Sequence, residues 1–280
     1  MFVFRKTKEI ENQTGDSRKS KQTIGFVPTM GALHAGHLSL LSQAKKENDF
    51  CVVSIFVNPT QFNNLEDLEK YPRTEENDLK LLEEAGCDAV FIPTVNEIYP
   101  EELSSEVFDF NGLEFQMEGK FRPGHFDGVG TVVKRLFEIV QPDNAYFGEK
   151  DFQQLRIIQQ MVHTQKMELN IVPVPIKRED DGLAMSSRNQ RLSAEMREEA
   201  PFIYQTLKEA ADFFKTHTVE ETRAFVDKQF ENNILKIEYF EIADEETLLP
   251  VVQKEDSENI RAFIAVFAGD IRLIDNLKLK

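Results

Sequence analysis

Two histidines three residues apart, His34 and His37, stand in the phrase Pro28-Thr29-Met30-Gly31-Ala32-Leu33-His34-Ala35-Gly36-His37. An apolar run, Ile24 to Val27, precedes it, and a helix is predicted from about His37 to Lys46. Strand-to-helix turns of this kind are where open α/β sheets bind ligands. Two glycines and an alanine leave space for a phosphate chain near the backbone, and the following helix offers unpaired N–H groups to anions. Residues three apart on a helical turn project from one face. Two imidazoles placed so can donate hydrogen bonds to phosphate oxygens and stabilise charge that develops in a transition state. A glycine-rich turn with two exposed or hydrogen-bonded histidines is the competing reading, and the length of the surrounding phrase disfavours it.

Two further stretches carry cations. Gly148-Glu149-Lys150-Asp151 follows a strand-like run and precedes a helix-like one, which places it on the same rim of a sheet as the histidines. Lys150 is a compact cation on a flexible stem, suited to phosphates. An ordinary surface lysine is its alternative. Ser186-Ser187-Arg188 lies on a polar segment after Asp180-Asp181-Gly182. Hydroxyls and a guanidinium together match the oxygens of a triphosphate; helix N-capping is a credible alternative for either serine alone but a weak one for the trio.

The elements that must position these groups alternate. Strands are predicted at Ile24 to Val27, Phe50 to Val57, Ala89 to Ile92, Asn144 to Phe147 and Asn170 to Ile176. Helices are predicted between them, at Thr74 to Ala85 (stopped by Gly86), Gly128 to Val140 and Phe152 to Gln165. Such alternation implies crossover connections and a parallel sheet with helices on both faces. The expected fold is α/β, Rossmann-like, with a smaller C-terminal α+β domain; the boundary falls between residues 1–176 and 177–280. The second domain is expected to hold two helices, Ser193 to Lys215 and Val219 to Asn232, and strands at Lys236 to Ile242, Arg261 to Ala268 and Ile271 to Ile274. Thr218 and Glu221 have capping-box spacing. Glu11 to Lys21 is polar and poorly periodic, and reads as a loosely ordered approach to the sheet.

The 280 residues carry a net charge of −16, shared by the stretches before and after Pro175. That balance opposes nucleic acid as a partner, since binding phosphates of a duplex needs cations to displace counterions. No run approaches the roughly 20 apolar residues that span a bilayer, and Met1 to Ser20 lacks the apolar core of a signal peptide. A cytoplasmic location is expected. Cys51 and Cys87 lie in or beside apolar runs and read as buried free thiols. His163 and His217 fall on predicted helices away from every motif, and His125 reads as a structural loop residue.

The phrase His34-Ala35-Gly36-His37 resembles the HIGH motif of the nucleotidyltransferase superfamily that includes class I aminoacyl-tRNA synthetases. The longer phrase resembles the pantothenate synthetase (pantoate–β-alanine ligase) family in particular. Phe56-Val57-Asn58-Pro59-Thr60-Gln61-Phe62, Tyr71-Pro72-Arg73, Arg122-Pro123-Gly124-His125-Phe126, Phe147 to Asp151, Gln153-Gln154 and Met185 to Asn189 follow in the family's order.

The resemblance implies an ATP-dependent condensation of pantoate with β-alanine through a pantoyl-adenylate. His34, His37, Lys150 and Arg188 are its expected catalytic residues. ATP is expected against Met30, Gly31, Ala32, Leu33, His34, Ala35, Gly36 and His37, then Gly148, Glu149, Lys150 and Asp151, with Asp151 on the ribose. Lys177 is expected to contact adenine through its backbone, and Met185, Ser186, Ser187 and Arg188 resemble the KMSKS loop. Pantoate is expected on Gln61, Gln154 and Met30, with Phe62 and Val129 as further apolar wall, and β-alanine on Gln61. Asn58, Tyr71 and Arg122 resemble further pocket positions. Mg²⁺ is expected mainly on the ATP phosphates, with no protein ligand assigned. Where relatives have an acidic pair, this chain has Asn77 followed by Asp78. A homodimer is expected. A different nucleotidyltransferase of the superfamily acting on a small molecule is the alternative. Glutamines at 61 and 154, where a phosphorylated acceptor would want cations, weigh against it.

Overall fold

Alternate residues of a strand face opposite sides of its sheet, and here both sides are buried. In β2 (Ile24–Thr29), Val27 packs with Cys51 and Val53 of β3 (Phe50–Ile55), Val90 of β4 (Ala89–Phe91), and Leu41 and Leu82 from helices Ala35–Glu47 and Glu75–Glu84. Phe26, on the other side, meets Phe137 of helix His125–Val140 edge-on at 6.2 Å. Two covered faces explain why these strands read as continuous apolar runs.

The computed structural model describes residues 1–62 and 65–280. It divides into two compact units. The first comprises residues 1–114, 118–149 and 154–175, and the second comprises 115–117, 150–153 and 176–280.

The first unit holds a six-stranded parallel sheet in the order β1-β4-β3-β2-β5-β6, where β1 is Phe2–Phe4, β5 is Asn144–Gly148 and β6 is Asn170–Val174. From β2 the chain proceeds to β3 and β4 on one side, and it returns to β5 and β6 on the other. The order reverses between β2 and β5, which pair in parallel with Gly25 opposite Asn144 and Phe26 opposite Ala145. The segments leaving Thr29 and Gly148 therefore depart from the same carboxyl rim, on either side of the switch point where such sheets bind ligands.

The second unit holds an antiparallel sheet, β7-β8-β9, formed by Lys236–Asp244, Ile260–Ala268 and Ile271–Lys278. Gly269, at φ +61°, closes the tight β8–β9 turn. Helices Phe202–Phe214 and Val219–Phe230 pack on the sheet through Ile203, Leu207 and Val226 against Ala262, Ile264 and Val266. Thr218 and Glu221 form the expected capping box.

Four expectations are corrected. The segment Glu11 to Lys21 is not a loose approach, because Thr7–Lys19 is a helix. Its inner face is Ile10, Thr14 and Ser17, and the Thr14 hydroxyl donates back to the Ile10 carbonyl at 3.1 Å. The helix expected over Ser193 to Lys215 is two, Ala194–Glu199 and Phe202–Phe214, interrupted at Pro201, which has no N–H to continue the ladder. His217 lies in the turn between helices, stacked on Phe213. His125 opens helix His125–Val140 instead of sitting in a loop.

Cys51 and Cys87 are buried and unpaired, and burial pushes each thiol up to about 12. Thiolate, the reactive form, is then only about 10⁻⁴ of either thiol at pH 8. Mass spectrometry is expected to find neither cysteine alkylated by iodoacetamide in the native protein, and both alkylated after denaturation. Modification of the folded chain would contradict this burial.

Candidate active site

In the first unit the chain turns sharply after β2. Gly31 has φ +79° and Ala32 φ +49°, so two consecutive residues occupy the left-handed region. Glycine tolerates that freely, whereas alanine carries a steric cost of roughly 1–2 kcal/mol. A Cβ at Gly31 would also stand 3.0 Å from Ile55 and from the Asp78 carboxylate. The Asp78 side chain holds the turn. Only 1% exposed, its two oxygens accept the Ala32 and Leu33 N–H groups at 2.9 and 2.8 Å, and the Thr74 hydroxyl donates to it at 3.1 Å. Thr29 secures the other end, its hydroxyl accepting from Gly31 N at 3.1 Å and donating to the Ser54 carbonyl at 2.7 Å.

That turn delivers His34 as the N-cap of helix Ala35–Glu47. The His34 Nδ1 accepts from Gly36 N at 3.1 Å, and the His37 Nδ1 accepts from His34 N at 3.3 Å. A ring nitrogen that accepts carries its lone pair, so the proton of each neutral imidazole sits on Nε2. Both rings thus have Nε2–H donors, with centroids 4.1 Å apart at the end of a helix whose dipole favours anions.

Gln61 ends the short turn Pro59–Gln61 after β3. Asn58, buried at the start of that turn, accepts from the Thr60 hydroxyl at 3.1 Å and the Tyr99 hydroxyl at 2.7 Å. Its amide donates to the Gly128 carbonyl at 3.1 Å and to Gln61 Oε1 at 3.2 Å, which fixes the Gln61 amide with its nitrogen toward Met30 Sδ, 3.2 Å away. The Gln61 carbonyl accepts from Arg122 at 3.3 Å and lies 2.9 Å from His125 Nδ1. A Cβ at Gly128 would fall 2.5 Å from the Thr60 carbonyl, so only glycine lets helix and turn approach this closely. Phe62 and Tyr71 meet edge-on at 5.7 Å, and Val129 is buried. Gly148 ends β5, Glu149 follows it, and Gln154 is half-buried in the first turn of helix Phe152–Thr164.

The second unit contains the other predicted residues. Lys150 Nζ lies 3.6 Å from the half-exposed carboxylate of Asp151. Lys177 accepts Met185 N at 3.0 Å, closing a hairpin, and Ser186-Ser187-Arg188 follows at once. Ser186 caps the turn Ser187–Arg191, accepting Arg188 N at 3.3 Å, so its hydroxyl does have the capping role considered for it. Among the described residues no three or more His, Cys, Asp or Glu side chains are grouped to hold a metal ion. Asp78, the acidic residue nearest the relatives' pair, has both oxygens engaged by backbone N–H groups.

A profile of the pantoate-β-alanine ligase family matches residues 2–278 of this architecture. The chain belongs to the pantoate–β-alanine ligase family. A pantothenate synthetase of Christiangramia forsetii is 54% identical over 281 residues, covering 100% of this chain and 99% of its own. One from Bacteroides thetaiotaomicron is 51% identical, also covering 100% and 99%. The crystal structure of pantothenate synthetase from Thermus thermophilus superposes with TM-score 0.93 at 42% identity over 100% of this chain and 99% of that one. A Francisella tularensis ligase, crystallised as a complex with β,γ-ATP and β-alanine, gives TM-score 0.84 at 36% identity over 100% and 98%. The Rossmann-like parallel sheet and small antiparallel sheet are thus those of the ligase family.

Asp78 and Tyr99 were not assigned to the ligase site by sequence reasoning, although each holds a residue that was. Asp78 stands out in the sequence only at the place of the relatives' acidic pair, for a metal and not for holding the turn; its position in the first turn of a helix, where acidic residues are common for another reason, adds nothing to that. Replacing Asp78 with asparagine turns an amide N–H₂ toward a backbone N–H. The loss is expected to be roughly 1.5–3 kcal/mol, the value of a buried charge-assisted hydrogen bond. Guanidinium unfolding measures it, and an unchanged midpoint would show that the turn does not depend on this carboxylate.

Proposed function

We propose that this ligase joins pantoate to β-alanine at the expense of ATP, in two steps. A pantoate carboxylate oxygen attacks the α-phosphorus, the O–P bond forms, and the bond to the β-phosphate breaks to release pyrophosphate. The β-alanine nitrogen then attacks the pantoyl carbonyl, the amide C–N bond forms, and AMP leaves as the amine sheds a proton. The observation that carries this reading is the pair of Nε2–H donors at the carboxyl rim beside the β2/β5 switch point, in a chain matched by the ligase family from end to end.

No enzyme nucleophile is needed, so catalysis rests on positioning and electrostatics. His34, His37, Lys150, Ser186, Ser187 and Arg188 meet the charge that builds on phosphate oxygens. Gln61 and Gln154 hold pantoate through hydroxyl and carboxylate groups, since an amide both donates and accepts. Met30, Phe62 and Val129 face its methyl groups, and Gln61 also serves β-alanine. Gly148, Asp151 and the Lys177 backbone hold the nucleoside. Magnesium travels with the ATP phosphates, where it keeps most of its waters. The protein works as a cytoplasmic homodimer, a state that sedimentation at micromolar concentration tests directly.

The deciding measurement is isotope exchange between pyrophosphate and ATP. Exchange is expected to require pantoate but not β-alanine, and AMP is expected to accumulate once β-alanine is added. Exchange without pantoate, or supported instead by a phosphorylated acceptor, would overturn the reading.

A further inference from the structure

Residues 275 and 276 lie in the second half of β9, paired with Ile264 and Phe263 of β8, and although both are polar they are almost fully buried. Asp275 receives a bidentate pair from Arg178, Nη1 to Oδ2 at 2.6 Å and Nη2 to Oδ1 at 2.9 Å. Arg178 also lies 3.6 Å over the Tyr204 ring and donates to the Gly182 carbonyl at 3.1 Å. It forms the bridge with Ala184 at the root of the hairpin that runs directly into Met185 and Ser186-Ser187-Arg188. Strand β9 itself packs on the turn Ser187–Arg191.

Asn276 works toward a different stretch of chain. Its Oδ1 accepts from Arg261 Nη1 at 2.6 Å, which dictates which way the amide faces. The Nδ2 group then donates to the Lys150 carbonyl at 3.0 Å. Arg261 is held in turn by Glu245 at 2.8 Å and lies 4.1 Å over the ring of Phe152, two residues beyond Lys150. Two neighbouring side chains of one strand thus fasten the backbone of Lys150 and the base of the 186–188 loop.

We propose that Asp275 and Asn276 are positioning residues, which set from β9 the placement of Lys150 and of Ser186-Ser187-Arg188 for the phosphate chemistry. The proposal rests on the function given above, in which those four residues meet the triphosphate. A buried polar cluster of this sort is a poor source of net stability, because apolar side chains of like volume commonly do as well. What it supplies is a fixed direction for each hydrogen bond. Misplacement of a catalytic group by about 1 Å can cost up to about 100-fold in rate.

The test is Asn276→Asp. The new carboxylate keeps Arg261 paired, but it sets an oxygen against the Lys150 carbonyl where a donor stood. In the pantoate-dependent exchange assay kcat is expected to fall about tenfold while KM for pantoate stays within about twofold. In a Lys150→Ala background the same substitution is expected to change the rate by less than about twofold, since the group it positions is gone. A folded Asn276→Asp protein with wild-type kcat would overturn the proposal, as would a full tenfold loss persisting without the lysine side chain. Should this variant not fold, Asn276→Ala removes the donor without adding charge and is read by the same two criteria. Absence of pantoate-dependent exchange in the wild type would instead overturn the functional reading.

Discussion

His37→Ala is expected to slow pantoyl-adenylate formation by roughly 10²–10³, the usual consequence of removing one donor from a developing oxyanion, in a protein that still folds. His37 has two separable tasks. Its Nδ1 accepts the His34 N–H and completes the helix cap, which leaves the ring proton on Nε2 as the donor for phosphate. Asparagine reproduces the first task, since its side-chain oxygen falls near the position of Nδ1, and glutamine reaches closer to the position of Nε2. His37→Asn is therefore expected to melt closer to wild type than His37→Ala while remaining as slow, and His37→Gln to recover part of the rate. Single-turnover adenylation beside thermal melts separates the two tasks. Wild-type-like rates in the alanine and asparagine variants would remove this imidazole from the mechanism.

The sequence made the sheet legible where burial and local chemistry agree. Strands β2 to β5 are covered on both faces, so their apolar runs announced themselves, and turn residues marked the helices between them. Legibility failed where a partner far along the chain made a polar residue acceptable inside. Helix Thr7–Lys19 presents Thr14 and Ser17 to the interior, so no apolar stripe betrayed it. The predicted third strand of the small sheet stops at Ile274, whereas β9 runs on to Lys278 through Asp275 and Asn276, whose burial is made tolerable by Arg178, Arg261 and the Lys150 carbonyl. The same division runs through the site. Histidines, lysine, serines and glutamines could be named from short phrases, since the chemistry that selects them is local. Asp78 and Tyr99 act by holding groups of segments far along the chain, Asp78 the Ala32 and Leu33 N–H groups and Tyr99 the Asn58 amide, and no spacing rule reaches across such separations.

Lys150 is the complementary case, a cation whose partner in the resting protein is weak. Its ammonium stands 3.6 Å from Asp151, whose carboxylate is about half exposed, and pairs of that kind contribute little. Transfer to a triphosphate oxygen therefore sacrifices almost nothing. Lys150→Ala is expected to lower adenylation by roughly 10²–10³. Arginine is not an equivalent replacement, because a planar fork of five donors cannot sit where a compact ammonium does. The two half-reactions should respond unequally. Pyrophosphate, with most of the charge, departs in the first step, while the second releases only AMP. Presented with preformed pantoyl-adenylate and β-alanine, Lys150→Ala is expected to release AMP with a loss smaller by about tenfold or more than in adenylation. Equal losses in both steps would mean that the lysine acts on the α-phosphate common to them, and unchanged rates in both would exclude it from phosphate chemistry altogether.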